Sequence, residues 1–259
     1  MFAIYKKEMR SYFTNPIGYV YLGIFLALSA LICCYTTLQS QSYNTSTYFT
    51  YMIFAFIILI PLLTMRSFAE EKKMKTEQML LTAPVSIFGM VLGKYFAALT
   101  IFVGSLMLSC INFIPLYAIA REETAAAIAG NANPNIGPNT AVIIGSLVGI
   151  ILLGAAFIAI GIFISSLTEN QLSSAICTIG VVVFMIIVGL VNGIGSEAEG
   201  NRLINSYAVR FVLDWISVLS RFSSFGYGML DFSALVYYLS LSGIFIFLTI
   251  RVYEKRRWG

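Results

Sequence analysis

Six apolar runs of about twenty residues each recur along this 259-residue chain, at about 17–38, 47–65, 91–119, 141–166, 172–192 and 232–250. Wound as a helix at about 1.5 Å per residue, a run of that length crosses the hydrocarbon core of a bilayer. Inside that core each backbone N–H and C=O must find its partner within the segment, which leaves the helix as the form such runs take. Composition agrees. Hydrophobic residues make up 59% of the chain and charged residues 11%, against about 45–50% and about 25% in a soluble domain. Mean hydropathy is +0.86. The expectation is an all-α polytopic membrane protein, a single domain over 1–259 with six transmembrane helices.

The polar stretches between the runs are short, and one is dense in charge. Residues 66–85 read Arg66-Ser-Phe-Ala-Glu70-Glu71-Lys72-Lys73-Met-Lys75-Thr76-Glu77-Gln78-Met-Leu80-Leu81-Thr82-Ala83-Pro84-Val85. Seven charges sit here, a quarter of all Asp, Glu, Lys and Arg in the chain. Hydrocarbon will not hold them, so the segment lies in water or at the membrane surface. A solvated loop obeying the positive-inside rule needs only the basic members of this set. The acidic ones call for a further reason, such as a mixed-sign docking face.

Residues 1–16 alternate Lys6, Lys7, Glu8 and Arg10 with Phe2, Ile4, Tyr5, Met9, Tyr12 and Phe13 at helical spacing, which predicts a short interfacial helix. Asn15-Pro16 breaks it, because the residue before a proline is pushed away from α. Pro115 is expected to bend or break the third run. Spans four and five are joined only by 167–171, a tight hairpin. Gly145-Ser-Leu-Val-Gly149 and Gly189-Leu-Val-Asn-Gly193 offer faces for close helix contact. Within 193–231, Ile204, Tyr207, Phe211, Trp215, Val218, Leu219 and Phe222 fall on one helical face. Asn205, Arg210, Asp214, Ser217 and Arg221 fall on the other, with Arg210 and Asp214 spaced as an i,i+4 pair. This predicts an outer amphipathic helix that either packs in the interface or gates a path.

Basic residues set the orientation. With both termini in the cytoplasm, Lys6, Lys7, Arg10, Arg66, Lys72, Lys73, Lys75, Lys94, Arg251, Lys255, Arg256 and Arg257 are inside. Arg121, Arg202, Arg210 and Arg221 are outside. The bias places the charged segment on the cytoplasmic side of the cell membrane. The terminal Lys255-Arg256-Arg257-Trp258 reads as a membrane anchor.

Several chemistries are excluded at this level. The chain has no histidine, and Cys33, Cys34, Cys110 and Cys177 all fall in apolar runs as small core residues. No metal site and no catalytic residue is expected. Gly89-Met-Val-Leu-Gly93-Lys94-Tyr95 resembles a phosphate loop. It has three residues where four belong between the glycines, and tyrosine where Ser or Thr would hold magnesium. Lys94 is expected to snorkel from the start of span three to the interface. The basic residues follow topology and form no nucleic-acid patch. With no other ion-binding charge in the spans and no obvious hydrophilic pathway, an ion-coupled carrier is disfavoured.

Three motifs together resemble the ABC-2 type permeases, the membrane subunits of ATP-binding-cassette exporters. They are Phe13-Thr-Asn-Pro16-Ile-Gly-Tyr19 after the basic helix, Arg66-x-x-Ala-Glu70-Glu71-Lys72 continuing to Pro84-Val85, and Gly228-Met-Leu-Asp231 before Tyr237-Tyr238-Leu239 with the basic terminus. The combination is most similar to the subgroup of gliding-motility and nitrous-oxide-reductase maturation permeases. Lys75 departs from it, where relatives place a small residue such as glycine. The resemblance implies a dimer of permease subunits, identical or homologous, in the lipid bilayer, each docked on a separate cytoplasmic ATPase that carries the ATP and magnesium. It implies no cofactor in this chain. It makes 66–85 the coupling helix, with Arg66, Glu70, Glu71, Lys72, Lys73, Thr76 and Glu77 as its polar face, Leu80 and Leu81 as apolar anchors, and Pro84 as its stop. Export of an amphipathic or lipid-linked substrate is the expected activity. A membrane module that relays ATPase motion to an envelope assembly, or anchors one, is the alternative.

Overall fold

A computed structural model describes residues 1–40, 43–78, 86–129, 137–197 and 217–258. Helix α1 (Phe2–Thr14) ends at Asn15, whose backbone is extended at φ −89° and ψ 144°, as a residue before proline must be. Pro16 opens α2 (Pro16–Cys33) at its first position, where the missing N–H is harmless. The turn between them is tight: a Cβ at Gly18 would stand 2.1 Å from the Tyr12 carbonyl oxygen. Glycine is what lets α1 fold back against α2. A π-helical turn, Cys34–Leu38, extends α2.

Asn44 caps α3 (Thr45–Thr64), its side chain accepting the Ser46 N–H at 3.1 Å. After the short α4 (Ala69–Lys73), Ser86 caps α5 (Ile87–Ser109) through the Gly89 N–H. A 3-10 turn, Cys110–Phe113, separates α5 from α6 (Ile114–Ala129), so the change of pitch falls just before Pro115. Next come α7 (Thr140–Leu167), α8 (Gln171–Glu197), α9 (Val218–Gly226) and α10 (Phe232–Trp258). Among the described residues six stretches are long and apolar enough to cross a membrane: Pro16–Thr37, Thr45–Lys73, Ile87–Ala125, Thr140–Leu167, Gln171–Val191 and Phe232–Arg257. The protein is an all-α polytopic membrane protein.

Helix α7 is the hub. Its most apolar window is 72% buried, against 28% for the first and last spans, and it packs on α3, α5, α8, α9 and α10. Small residues make that possible. A Cβ at Gly154 would lie 2.3 Å from the Phe102 ring, and one at Gly161 2.3 Å from Thr64 Oγ1. The Gly145/Gly149 face receives α9: their Cβ positions meet Gly228 Cα at 2.9 Å and Phe225 at 2.8 Å. Gly189 of α8 likewise admits Leu219. Of the amphipathic segment expected at 193–231, Ile204, Asn205, Tyr207, Arg210, Phe211, Asp214 and Trp215 lie outside the described residues. Its described part, α9, buries Val218, Phe222 and Phe225.

One end of the bundle collects the charge. There α1, the α3–α5 connection, the α7–α8 turn and the end of α10 converge, joined by Lys7–Glu71, by Lys72 on the Thr168 carbonyl and by Arg256–Glu77. On α1, Ile4, Met9 and Tyr12 pack against the core, whereas Phe2 and Phe13 are exposed.

Candidate functional site

The α3–α5 connection at the charged end is built from the residues singled out in the sequence. Arg66 donates through Nε and Nη2 to the two Glu70 carboxylate oxygens, both at 2.7 Å, a bidentate pair across one helical turn. Glu71 accepts from Lys94 at 2.9 Å and lies 3.5 Å from Lys7. Lys72 donates to the carbonyls of Ser166 and Thr168. Glu77 meets Arg256 at 2.9 Å. The Thr76 hydroxyl donates to the Glu71 carbonyl. Leu80, Leu81 and Pro84 lie outside the described residues.

Helix α4 ends in a Schellman motif. The Thr76 N–H bonds the Glu71 carbonyl at 2.9 Å and the Lys75 N–H bonds the Lys72 carbonyl at 3.0 Å. Lys75 itself is left-handed, with φ 57°. That backbone is the physical reason a glycine suits the position where this chain carries lysine. Lys73, Met74 and Lys75 form the exposed tip of the turn. A groove of about 640 Å³ opens beside it, bounded by Lys73, Met65, Asn170, Gln171 and Leu172.

Lys94 corrects the sequence expectation. It does not snorkel: 2% of its side chain is exposed. Its ammonium lies 2.9 Å from Glu71 and 3.2 Å from Glu8, bonds the Ser67 carbonyl, and sits 4.7 Å from the centre of the Phe68 ring. The reason lies in Gly89 and Gly93, which sit inside α5 and admit α1. A Cβ at Gly93 would stand 3.2 Å from both Ile4 and the Met1 carbonyl. With α1 that close, it covers Lys94 and supplies Glu8 as partner. The phosphate-loop lookalike is a helix-packing face. Tyr12 also ties α1 down, donating to the Leu63 carbonyl at 3.1 Å. Burial, and then the Glu8 charge, hold the Tyr12 phenol well above its usual range, so it stays protonated and donating.

Two residues here were not singled out as site residues from the sequence. Ser165 Oγ, buried on α7, accepts from the Phe68 and Ala69 N–H groups, each at 3.1 Å. Nothing in the apolar run around it marks that serine. Glu8 had a signal, since a lysine within an apolar run demands a carboxylate near it. A third group is a seam of uncharged polar side chains deeper in the bundle. Asn112 donates to Ser29 at 3.1 Å, Cys33 and Thr37 are 3.4 Å apart, and Tyr48 lies 3.4 Å from Ser109. It runs between α2, α3 and the end of α5, and the sequence reading found no hydrophilic track there.

Among the described residues the arrangement joins elements that are separate in the chain. It fastens α1, α4, α5, α7 and α10 to one another at the charged end of the bundle. Against known proteins, a family model described as ABC-2 family transporter protein matches residues 35–252. None of the curated proteins matches the chain.

Proposed function

The chain belongs to the ABC-2 family of transporters, a permease of ABC type, and from that premise we propose that it couples ATP hydrolysis by a separate cytoplasmic ATPase to export of an amphipathic or lipid-linked substrate. The α3–α5 connection is the coupling segment. The observation that carries this reading is the division of its charges. Arg66, Glu70, Glu71, Lys72 and Glu77 are engaged within the chain, while Lys73, Met74 and Lys75 face outward. The part offered to the ATPase is therefore a basic tip with an apolar centre. It fits a partner groove with an acidic rim and an apolar floor.

Two copies, or this chain and a homologous one, form the membrane dimer. Both termini and the coupling segment are cytoplasmic, as the basic-residue bias supports. The N-terminal motif, the coupling-segment motif and the basic terminus support the gliding-motility and nitrous-oxide-reductase maturation subgroup. The polar seam near Ser29 and Tyr48 is uncharged, which favours a neutral or amphipathic cargo over an ion.

Co-purification with the ATPase tests the reading, comparing wild type with a Lys73→Glu, Lys75→Glu variant. Both lysines are exposed, so the fold is expected to survive. Loss of the ATPase or of its stimulated hydrolysis supports the coupling segment, and unchanged binding sinks it. A reconstituted complex that hydrolyses ATP and moves no candidate cargo would favour the force-relay alternative.

A further inference from the structure

The coupling segment is flanked in sequence by the second and third spans, yet its backbone is capped by the fourth. Phe68, at the N-cap of α4, has no capping side chain of its own. Ser165 of α7 supplies one, accepting the N–H groups of Phe68 and Ala69 and facing the Met65 carbonyl at 3.4 Å. In the opposite direction Lys72 reaches the Ser166 and Thr168 carbonyls at the C-terminal end of α7. The last carbonyls of a helix have no partner within it, and its dipole favours a cation there. Each helix thus completes the other's open terminus. Gly161, just over one turn earlier on α7, lets Thr64 approach so closely that α7 has no slack against the end of α3.

We infer that Ser165 and Lys72 are positioning residues that hand movement of the coupling segment directly to α7. This rests on the function proposed above. Helix α7 is 28 residues long, roughly 42 Å at about 1.5 Å per residue, and reaches from the charged end to the opposite end of the bundle. There its Gly145/Gly149 face holds α9. A displacement of α4 that drags the C-terminal end of α7 therefore arrives at α9 through one rigid rod. The seat of α7 among its neighbours is largely apolar and independent of the two caps. Removing the caps uncouples the segment and leaves the bundle folded.

The test uses the permease–ATPase complex in nanodiscs, with Cys33, Cys34, Cys110 and Cys177 replaced by serine or alanine. Thr140→Cys, at the exposed start of α7, carries a polarity-sensitive fluorophore. The otherwise unsubstituted protein is expected to change its emission on trapping with ATP and vanadate. Ser165→Ala with Lys72→Met is expected to reduce that change at least fivefold in a complex that still assembles, with a thermal midpoint lowered by the lost cap and a bundle that still folds. Ser165→Thr and Lys72→Arg, each made singly, are expected to keep it. A full response in the Ala/Met variant overturns the inference. So does an assembled, hydrolysing complex whose reporter never responds, and the proposed function survives both results. Failure of any ATPase to assemble with the wild type sinks the proposed function, and the inference falls with it.

Discussion

Lys94 and Glu71 form an ion pair with nitrogen and oxygen 2.9 Å apart, in which 2% of the lysine side chain and 15% of the glutamate side chain are exposed. Glu8 stands 3.2 Å from the same ammonium. The three charges come from α5, from α4 and from α1, the last more than sixty positions before the other two. A buried pair of this kind adds little against an apolar replacement of all its members, yet removing one member strands the others.

Lys94→Met is therefore expected to destabilise the protein by about 3–5 kcal/mol, because Glu8 would lose its partner and Glu71 would keep only the exposed Lys7. Adding Glu71→Gln to that variant should recover part of the loss. Thermal unfolding in detergent reads both. A double variant as unstable as the single one would mean that the pair is not what the lysine supports.

Gly18→Ala should loosen α1. The new Cβ would fall 2.1 Å from the Tyr12 carbonyl oxygen, a backbone atom that cannot rotate away, and overpacking of this sort costs about 1–3 kcal/mol. Faster tryptic cleavage after Lys6, Lys7 or Arg10 is the expected readout. A wild-type cleavage rate would show that the turn at Pro16 tolerates the added carbon.

Lys75→Gly should stabilise the segment. The left-handed backbone at φ 57° costs a residue with a Cβ roughly 1–2 kcal/mol, which the extra backbone entropy of glycine partly offsets, leaving a gain of about 0.5–1 kcal/mol. Lys75→Val should go the other way. The order of the three thermal midpoints, glycine above lysine above valine, is the check.

Glycines of this bundle fall into two kinds that sequence does not separate. Gly149→Val would press into Phe225, 2.8 Å from the Cβ position, and is expected to displace α9. Gly180 has open space at its Cβ, so Gly180→Ala should be neutral or stabilising by up to about 1 kcal/mol. Comparing the two by thermal unfolding separates packing glycines from lipid-facing ones.

Much of the architecture was legible in the residues. Apolar runs long enough to span a bilayer marked the helices, and Asn15-Pro16 marked the break between α1 and α2 because proline restricts its predecessor locally. The charged stretch at 66–85 stood out because charge has few places to go in such a chain. Less legible was what each charge touches. A mixed-sign run reads equally as an outward docking face or as a set of internal ion pairs, and Glu70, Glu71 and Lys72 turned out to be engaged within the chain.

Lys94 shows where the boundary lies. By itself the sequence determined that a charge in an apolar helix needs either the interface or a partner, since hydrocarbon offers neither solvent nor counter-charge. It equally determined six spans, their polar ends and the family motifs, all of which depend on residues near one another in the chain. Only the tertiary structure decided that Gly89 and Gly93 let α1 cover Lys94, that Glu8 and Glu71 answer it, and that Ser165 caps a helix almost a hundred positions away. Those choices depend on which helix faces pack together, and packing is set by complementary shape between segments that no local pattern relates.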